Sequence, residues 1–189
     1  MSGPRRSCLI VSAYIRVKLL SFTKALKPYD ISALSFGVID DNDFMCRVVV
    51  SVLRSLGVRR IYASNHADAI EKVGRFSPEI IFYDYGLGRS NELDLVIQIR
   101  RSQTPFNPAT AIILTSAISS SDHIKRARDV GIDHFLIKPL SPKLLYKNIV
   151  RCIESTKPFI KIQSYIGPDR RSRGTNAGVP VTPNRRKTL

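Results

Sequence analysis

Tryptophan is missing from these 189 residues, cysteine occurs three times, and acidic side chains number 15 against 30 basic ones. Each shortage narrows the reading. Cys8, Cys46 and Cys152 are odd in number and widely spaced, so they read neither as a disulfide framework nor as a metal knuckle, and a reducing compartment is the simplest setting. No segment is long and apolar enough to span a bilayer, which takes about 18 such residues. The uncharged run Ser7–Ile15 is soon followed by Arg16 and Lys18 and lacks a small-residue cleavage site, which favours a frayed or amphipathic helix over a signal peptide. Neither a Gly-x-Gly-x-x-Gly fingerprint nor a P-loop is present, which weakens a nucleotide-binding or dehydrogenase reading.

The shortage of acids is uneven. Residues 1–33 carry six basic side chains and one acid, residues 34–157 carry seventeen and thirteen, and residues 158–189 carry seven and one. Of the net charge of +15, eleven therefore sit in the flanks, and the high pI describes extensions rather than the body. Three prolines, three glycines and six basic residues fill 166–189, so a basic, disordered tail is expected there. No aromatic platform accompanies Arg170, Arg171, Arg173, Arg185, Arg186 and Lys187, so a solvated tail is favoured over nucleic-acid contact. The chain divides into a basic N-terminal extension (1–33), one domain (34–157) and a basic tail (158–189), with no room left for a folded output domain.

Within the domain, short apolar runs alternate with helical spacing. Strands are expected at Leu34–Ile39, Val58–Tyr62, Glu79–Tyr83, Ala111–Leu114 and His134–Ile137. Helices are expected near Asp43–Leu56, Ala67–Val73, 91–101, Ser121–Val130 and Pro142–Ile153. Asn42 is a plausible N-cap and Gly57 a stop. Five strand–helix units predict an α/β fold, a flavodoxin-like (βα)5 doubly wound parallel sheet of order 2-1-3-4-5.

In such a sheet, functional groups gather at the carboxyl ends of the strands, above all at the switch point. Those ends carry Asp40 and Asp41 after strand one, Asp84 after strand three, Thr115 after strand four and Lys138 after strand five. Three carboxylates crowded together repel unless a cation joins them, and hard oxygen donors suit Mg²⁺, which keeps waters and bridges to phosphate. Asp84 can then serve as a nucleophile that forms an aspartyl phosphate. The metal, Lys138, and Thr115 with a nearby backbone N–H would each take one phosphoryl oxygen. Alone, Asp84 reads as an acid ending a strand at a turn; it is the ordered set of five that carries the signal.

Residues 34–157 resemble the receiver domain of two-component response regulators, in Val38-Ile-Asp-Asp-Asn42, Ile80-Ile-Phe-Tyr-Asp84, Ile112-Ile-Leu-Thr-Ser116 and Phe135-Leu-Ile-Lys-Pro139. The resemblance implies a cytoplasmic switch, with Asp84 as phosphoacceptor and Asp40 and Asp41 as the metal pair, Asp41 ligating directly and Asp40 partly through water. It implies that the Gly86 carbonyl completes the Mg²⁺ site, that Thr115 is the switch hydroxyl, that Lys138 binds phosphate and that Phe135 is the aromatic reporting phosphorylation. A histidine kinase or phosphotransfer protein would be the donor and a downstream protein the target. Catalysis would be limited to self-phosphorylation and dephosphorylation. The tail Tyr165-Ile-Gly-Pro-Asp-Arg-Arg171 resembles an extension of some stand-alone alphaproteobacterial receivers.

Two departures stand out. Tyr85-Gly-Leu-Gly-Arg89 replaces the usual Met-Pro turn, and Glu92 takes the place of a glycine eight residues after the phosphoacceptor. The alternative they leave open is a degenerate receiver, a constitutive binding module whose basic tails contact nucleic acid or acidic partners. A haloacid-dehalogenase-type phosphatase also uses an Asp nucleophile but wants an acid where Gly86 stands. His66, His123 and His134 show no ligand spacing and are expected at the surface or at helix ends.

Overall fold

The computed structural model describes residues 29–86, 92–101, 105–155, 158–162 and 165–170. The expectations for residues 1–28, 171–189 and Arg89 lie outside the described residues. Continuous apolar runs become fully buried strands: β1 (Ser35–Ile39), β3 (Ile80–Asp84) and β4 (Ala111–Ser116). Mixed apolar and polar runs become the edge strands β2 (Arg60–Ser64) and β5 (His134–Ile137). All pairings are parallel and the order is β2-β1-β3-β4-β5, as the sequence predicts. Between them lie α1 (Asp43–Ser55), α2 (His66–Phe76), α3 (Asp94–Arg101) and α4 (Ser121–Asp129), with α5 (Pro142–Glu154) after β5. No helix among the described residues is long and apolar enough to cross a membrane.

Side-chain alternation along the strands divides the core in two. Phe36, Val38, Ile80, Phe82 and Ile113 face Val49, Val52 and Leu53 of α1 and Leu145 and Ile149 of α5. Ile39, Ile81, Tyr83, Ile112 and Leu114 face Ala69 and Val73 of α2, Leu95, Val96 and Ile99 of α3, and Ala127 of α4. Burying a side chain such as Phe82 or Ile113 stabilises by about 1.5–3 kcal/mol each, so both faces drive the sheet into the middle layer. The α1 start is capped as expected, with Asn42 accepting from the Phe44 and Met45 amides, and Gly57 follows the helix at φ +90°.

The domain boundaries need two corrections. Ile31 is 2% exposed within the α1–α5 core, and the Tyr29 hydroxyl donates to Glu154, so the body begins before residue 34. At the other end, β6 (Phe159–Ile162) and β7 (Tyr165–Pro168) pair antiparallel as a hairpin, so these segments are not the start of a disordered tail. Phe159 and Ile160 bury their side chains, and the Asp169 amide closes the hairpin on the Pro158 carbonyl.

The hairpin sits on a polar anchor. Arg100 is buried, and its guanidinium donates to the carbonyls of Gly131 (2.7 Å), Pro108 (2.7 Å) and Thr110 (2.8 Å) and to Asp133 (3.1 Å). A buried charge is tolerable only when so satisfied. The same guanidinium lies 5.3 Å over the Phe159 ring, and Arg170 donates to the Ile132 carbonyl (2.9 Å). Gly131 and Gly167 meet where the hairpin crosses this turn. A Cβ on Gly167 would come within 2.9 Å of the Gly131 Cα, and one on Gly131 would collide with the Ile166 carbonyl. Gly131 also has φ +95°.

Two glycines can therefore be compared. Gly57 has the same left-handed backbone with open space around it, so Gly57→Ala costs about 1 kcal/mol of strain alone. Gly131→Ala adds a collision with the hairpin and is expected to cost about 2–4 kcal/mol. Urea denaturation of both variants checks the order.

Candidate functional site

Parallel pairing of β1 with β3 sets Ile39 beside Tyr83, so Asp40 and Asp84 emerge next to each other at the carboxyl rim. Both are buried, each 6% exposed. Thr115 is the ladder partner of Asp84 on β4, buried at 3%, and its carbonyl accepts the Tyr85 amide at 2.8 Å. Beyond the end of β5, the Lys138 amide is fixed to the Ser116 carbonyl (2.8 Å). From there its ammonium reaches Asp84 Oδ1 at 2.7 Å and Asp40 Oδ2 at 3.2 Å. Burial pulls the Lys138 pKa down, but the hydrogen bond and charge of Asp84, joined by Asp40, outweigh it and hold the pKa above the usual lysine value. Asp40 is oriented from behind, its Oδ1 accepting the Asn42 amide at 2.8 Å.

Asp41 takes a different course from the other two carboxylates. Its Oδ1 accepts the His66 amide (2.8 Å) and lies 3.0 Å from His66 Nδ1, while His66 Nε2 lies 3.0 Å from the Asp84 carbonyl oxygen. Among the described residues, no group of three His, Cys, Asp or Glu side chains is arranged to hold a metal ion. The expected three-carboxylate cluster is thus corrected to two carboxylates on one ammonium, with the third drawn to an imidazole. His66, expected at the surface or at a helix end, is the first residue of α2. The strand before it runs two residues further than its apolar pattern suggests, to Ser64, and delivers His66 to the rim at the start of α2.

A second histidine, in the first turn of α4 but buried, lines the other side. His123 is 5% exposed and stacks on Tyr85 with centroids 3.9 Å apart, while its Nε2 lies 3.2 Å from Ser116 Oγ. Phe135, half-buried, stands edge-on to both rings at 6.4 and 6.0 Å. The signal was the spacing of His123 and Ala127, which puts His123 on the inward face of α4. Gly86 has φ +123°, and a Cβ there would lie 2.7 Å from Ser116 Oγ, so only glycine fits beside this group. Glu92 is buried; its Oε2 accepts the Gly86 amide at 3.2 Å, and its backbone carbonyl accepts the Tyr83 hydroxyl at 2.6 Å.

The rim thus offers a buried carboxylate with an ammonium on one oxygen, a neighbouring carboxylate, a buried hydroxyl and a glycine turn whose amide is held by Glu92. Residues 36–150 match the response regulator receiver domain family. The chain belongs to that family. Protein PilG of Pseudomonas aeruginosa is 31% identical over 64% of this chain and 88% of its own length. The Regulator of RpoS of Escherichia coli K12 is 29% identical over 54% of this chain, a match spanning only 29% of that relative. A response regulator from Thermotoga maritima superposes with a TM-score of 0.57 at 22% identity, covering 65% of this chain and 98% of the other, which speaks for the fold. The β6–β7 hairpin lies beyond the matched receiver segment.

His123 gives this receiver a pH signature. Burial first, and the Arg126 charge second, push its pKa below the usual histidine value, against smaller opposing effects of Glu92 and the Tyr85 backbone. The folded chain therefore binds a proton less readily than the unfolded chain. As pH falls below about 6.5, the unfolded state is protonated first and stability drops, until the folded pKa is passed. His123→Phe, which keeps the ring and removes the proton site, is expected to flatten that loss. Urea midpoints at pH 7.5 and 5.5 for both proteins measure it.

Proposed function

We propose that this receiver accepts a phosphoryl group on Asp84 from a histidine kinase or phosphotransfer protein and passes the signal on by protein–protein contact or by relaying the phosphate. The observation that carries the reading is the Lys138 ammonium held between Asp84 and Asp40, beside Thr115 on the next strand. Phosphoryl transfer asks mainly for positioning and for charge neutralisation, and these groups supply both. One Asp84 oxygen attacks phosphorus as the donor's bond to phosphorus breaks. Lys138 then exchanges part of its contact with Asp84 for a phosphoryl oxygen, and the Thr115 hydroxyl takes another.

A divalent ion fits the donor set. Two carboxylates on one ammonium, with Asp41 turned to His66 nearby, leave excess negative charge at the rim, and Mg²⁺ needs only one or two carboxylates beside waters and phosphate. Asp84 and Asp41 would hold it directly, with the Gly86 carbonyl, and Asp40 partly through water; engagement of Asp41 requires that His66 yield its oxygen. When bound, the ion supplies neutralisation of phosphoryl charge. Thr115 drawn inward leaves space toward Phe135, whose ring packs against Tyr85 and His123, so those rings form the expected path to the α4–β5 face. Ile118 and Ile137 on that face are exposed apolar side chains available to a target protein.

With acetyl phosphate and Mg²⁺, the intact chain is expected to gain the mass of one phosphoryl group. Asp84→Asn is expected to gain none, chelation of the metal to suppress the gain strongly, and Lys138→Ala to lower its rate at least tenfold. A wild-type chain that stays unmodified with acetyl phosphate and with a phosphotransfer protein overturns the reading. A constitutive binding module would retain its partner in Asp84→Asn.

A further inference from the structure

The phosphoacceptor lies beside a backbone amide that is already in use. The Tyr85 N–H is spent on the β4 ladder, donating to the Thr115 carbonyl at 2.8 Å. The next N–H along the chain, that of Gly86, is thus the first amide after Asp84 outside the ladder. It meets the Glu92 carboxylate, Oε2 at 3.2 Å. Glu92 is held there, 8% exposed, because its backbone carbonyl is bound to the Tyr83 hydroxyl at 2.6 Å, one residue before Asp84. Its charge also reaches Tyr85, where it adds to the larger upward push of burial on the pKa, and His123, where it opposes the larger downward push of burial.

We infer that Glu92 is an internal occupant of the phosphoryl position: its carboxylate takes the Gly86 N–H that a phosphoryl group on Asp84 requires, and phosphorylation must displace it. The inference rests on the phosphoacceptor reading of Asp84. A phosphoryl group has three outer oxygens: a divalent ion and Lys138 would take one each, and the remaining one falls to the Thr115 hydroxyl with a backbone N–H. The backbone donor next to Asp84 completes that last oxygen's shell. A carboxylate and a phosphoryl group cannot share one N–H, since both are acceptors of like charge and a charged acceptor holds a donor more strongly than a neutral one. Glycine at this position would leave the amide open to the phosphoryl group. Glutamate closes it and sets a higher threshold for phosphorylation.

The reaction to follow is transfer from acetyl phosphate. An Asp84 carboxylate oxygen forms a bond to phosphorus, the bond between phosphorus and the acetate oxygen breaks, and acetate leaves with that electron pair. The full chain is compared with Glu92→Gln, which keeps shape and removes charge, and Glu92→Gly, which removes the side chain. Asp94→Asn, an exposed acid two residues away in the first turn of α3, controls for loss of one negative charge. Initial rates are read by intact mass, and the Gly86 amide is followed by ¹⁵N NMR before any phosphodonor is added.

Both Glu92 variants are expected to be phosphorylated on the order of tenfold faster than wild type, the equivalent of about 1.4 kcal/mol, while Asp94→Asn is unchanged. The Gly86 resonance is expected to shift in both Glu92 variants without phosphodonor. Wild type phosphorylated on Asp84 with both Glu92 variants at the same or a lower rate overturns the Glu92 inference and leaves the phosphoacceptor reading standing. Equal acceleration in Asp94→Asn overturns it as well, assigning the effect to net charge. No phosphorylation in any variant overturns both.

Discussion

One ammonium between two buried carboxylates sets the terms for this rim. The strand order places β1 and β3 side by side, so their two terminal acids cannot avoid each other. At an effective dielectric near 20, unit charges about 4 Å apart interact by about 4 kcal/mol, enough to matter against a folding stability of about 5–15 kcal/mol. Lys138 resolves the conflict from β5, which lies two strand spacings, roughly 10 Å, from β3. The lysine stem spans part of that gap, and the bond from its amide to Ser116 fixes where the span begins. Through one side chain, the ends of β1, β3 and β5 are bound into a single electrostatic unit.

The remaining polar groups of the rim follow the same logic of internal pairing. His66 links Asp41 to the Asp84 carbonyl, and Glu92 takes the Gly86 amide. In both cases a neighbouring side chain engages a group that phosphoryl chemistry would use. Such a rim is satisfied in isolation, which stabilises the resting fold, and any incoming anion has to compete with built-in partners. The rings of Tyr85, His123 and Phe135 then give a change at the rim a packed, apolar route toward the edge of the sheet.

The parts legible in the sequence were those with a periodic or positional signal. Buried strands read as uninterrupted apolar runs, and parallel order follows from alternation with helices, so Asp40, Asp84, Thr115 and Lys138 could be assigned to one rim before any coordinates. The strand ends were less legible. β2 begins at Arg60 although Val58 is the buried apolar residue, because a strand at the edge of the sheet need bury only one face and its apolar pattern does not mark its limits. That two-residue shift hid His66. His123 was hidden differently: histidine satisfies either a buried or an exposed position, so its type alone carried no direction.

The hairpin escaped for a more general reason. Glycine and proline lower apparent order when counted as composition, yet here they make the contact. Gly167 is small enough to meet Gly131, and Pro168 pairs across from Phe159 at the hairpin's end. Arg170 then reaches the Ile132 carbonyl just ahead of β5. That four-residue strand carries Phe135 and leads into Lys138, so it is tethered at its start by the hairpin and just past its end by the carboxylates. A short edge strand fixed at both ends moves as a unit or not at all. Displacement of Lys138 at the rim therefore acts on Phe135 through a segment with little freedom to absorb it, which is the mechanical condition a two-state relay needs.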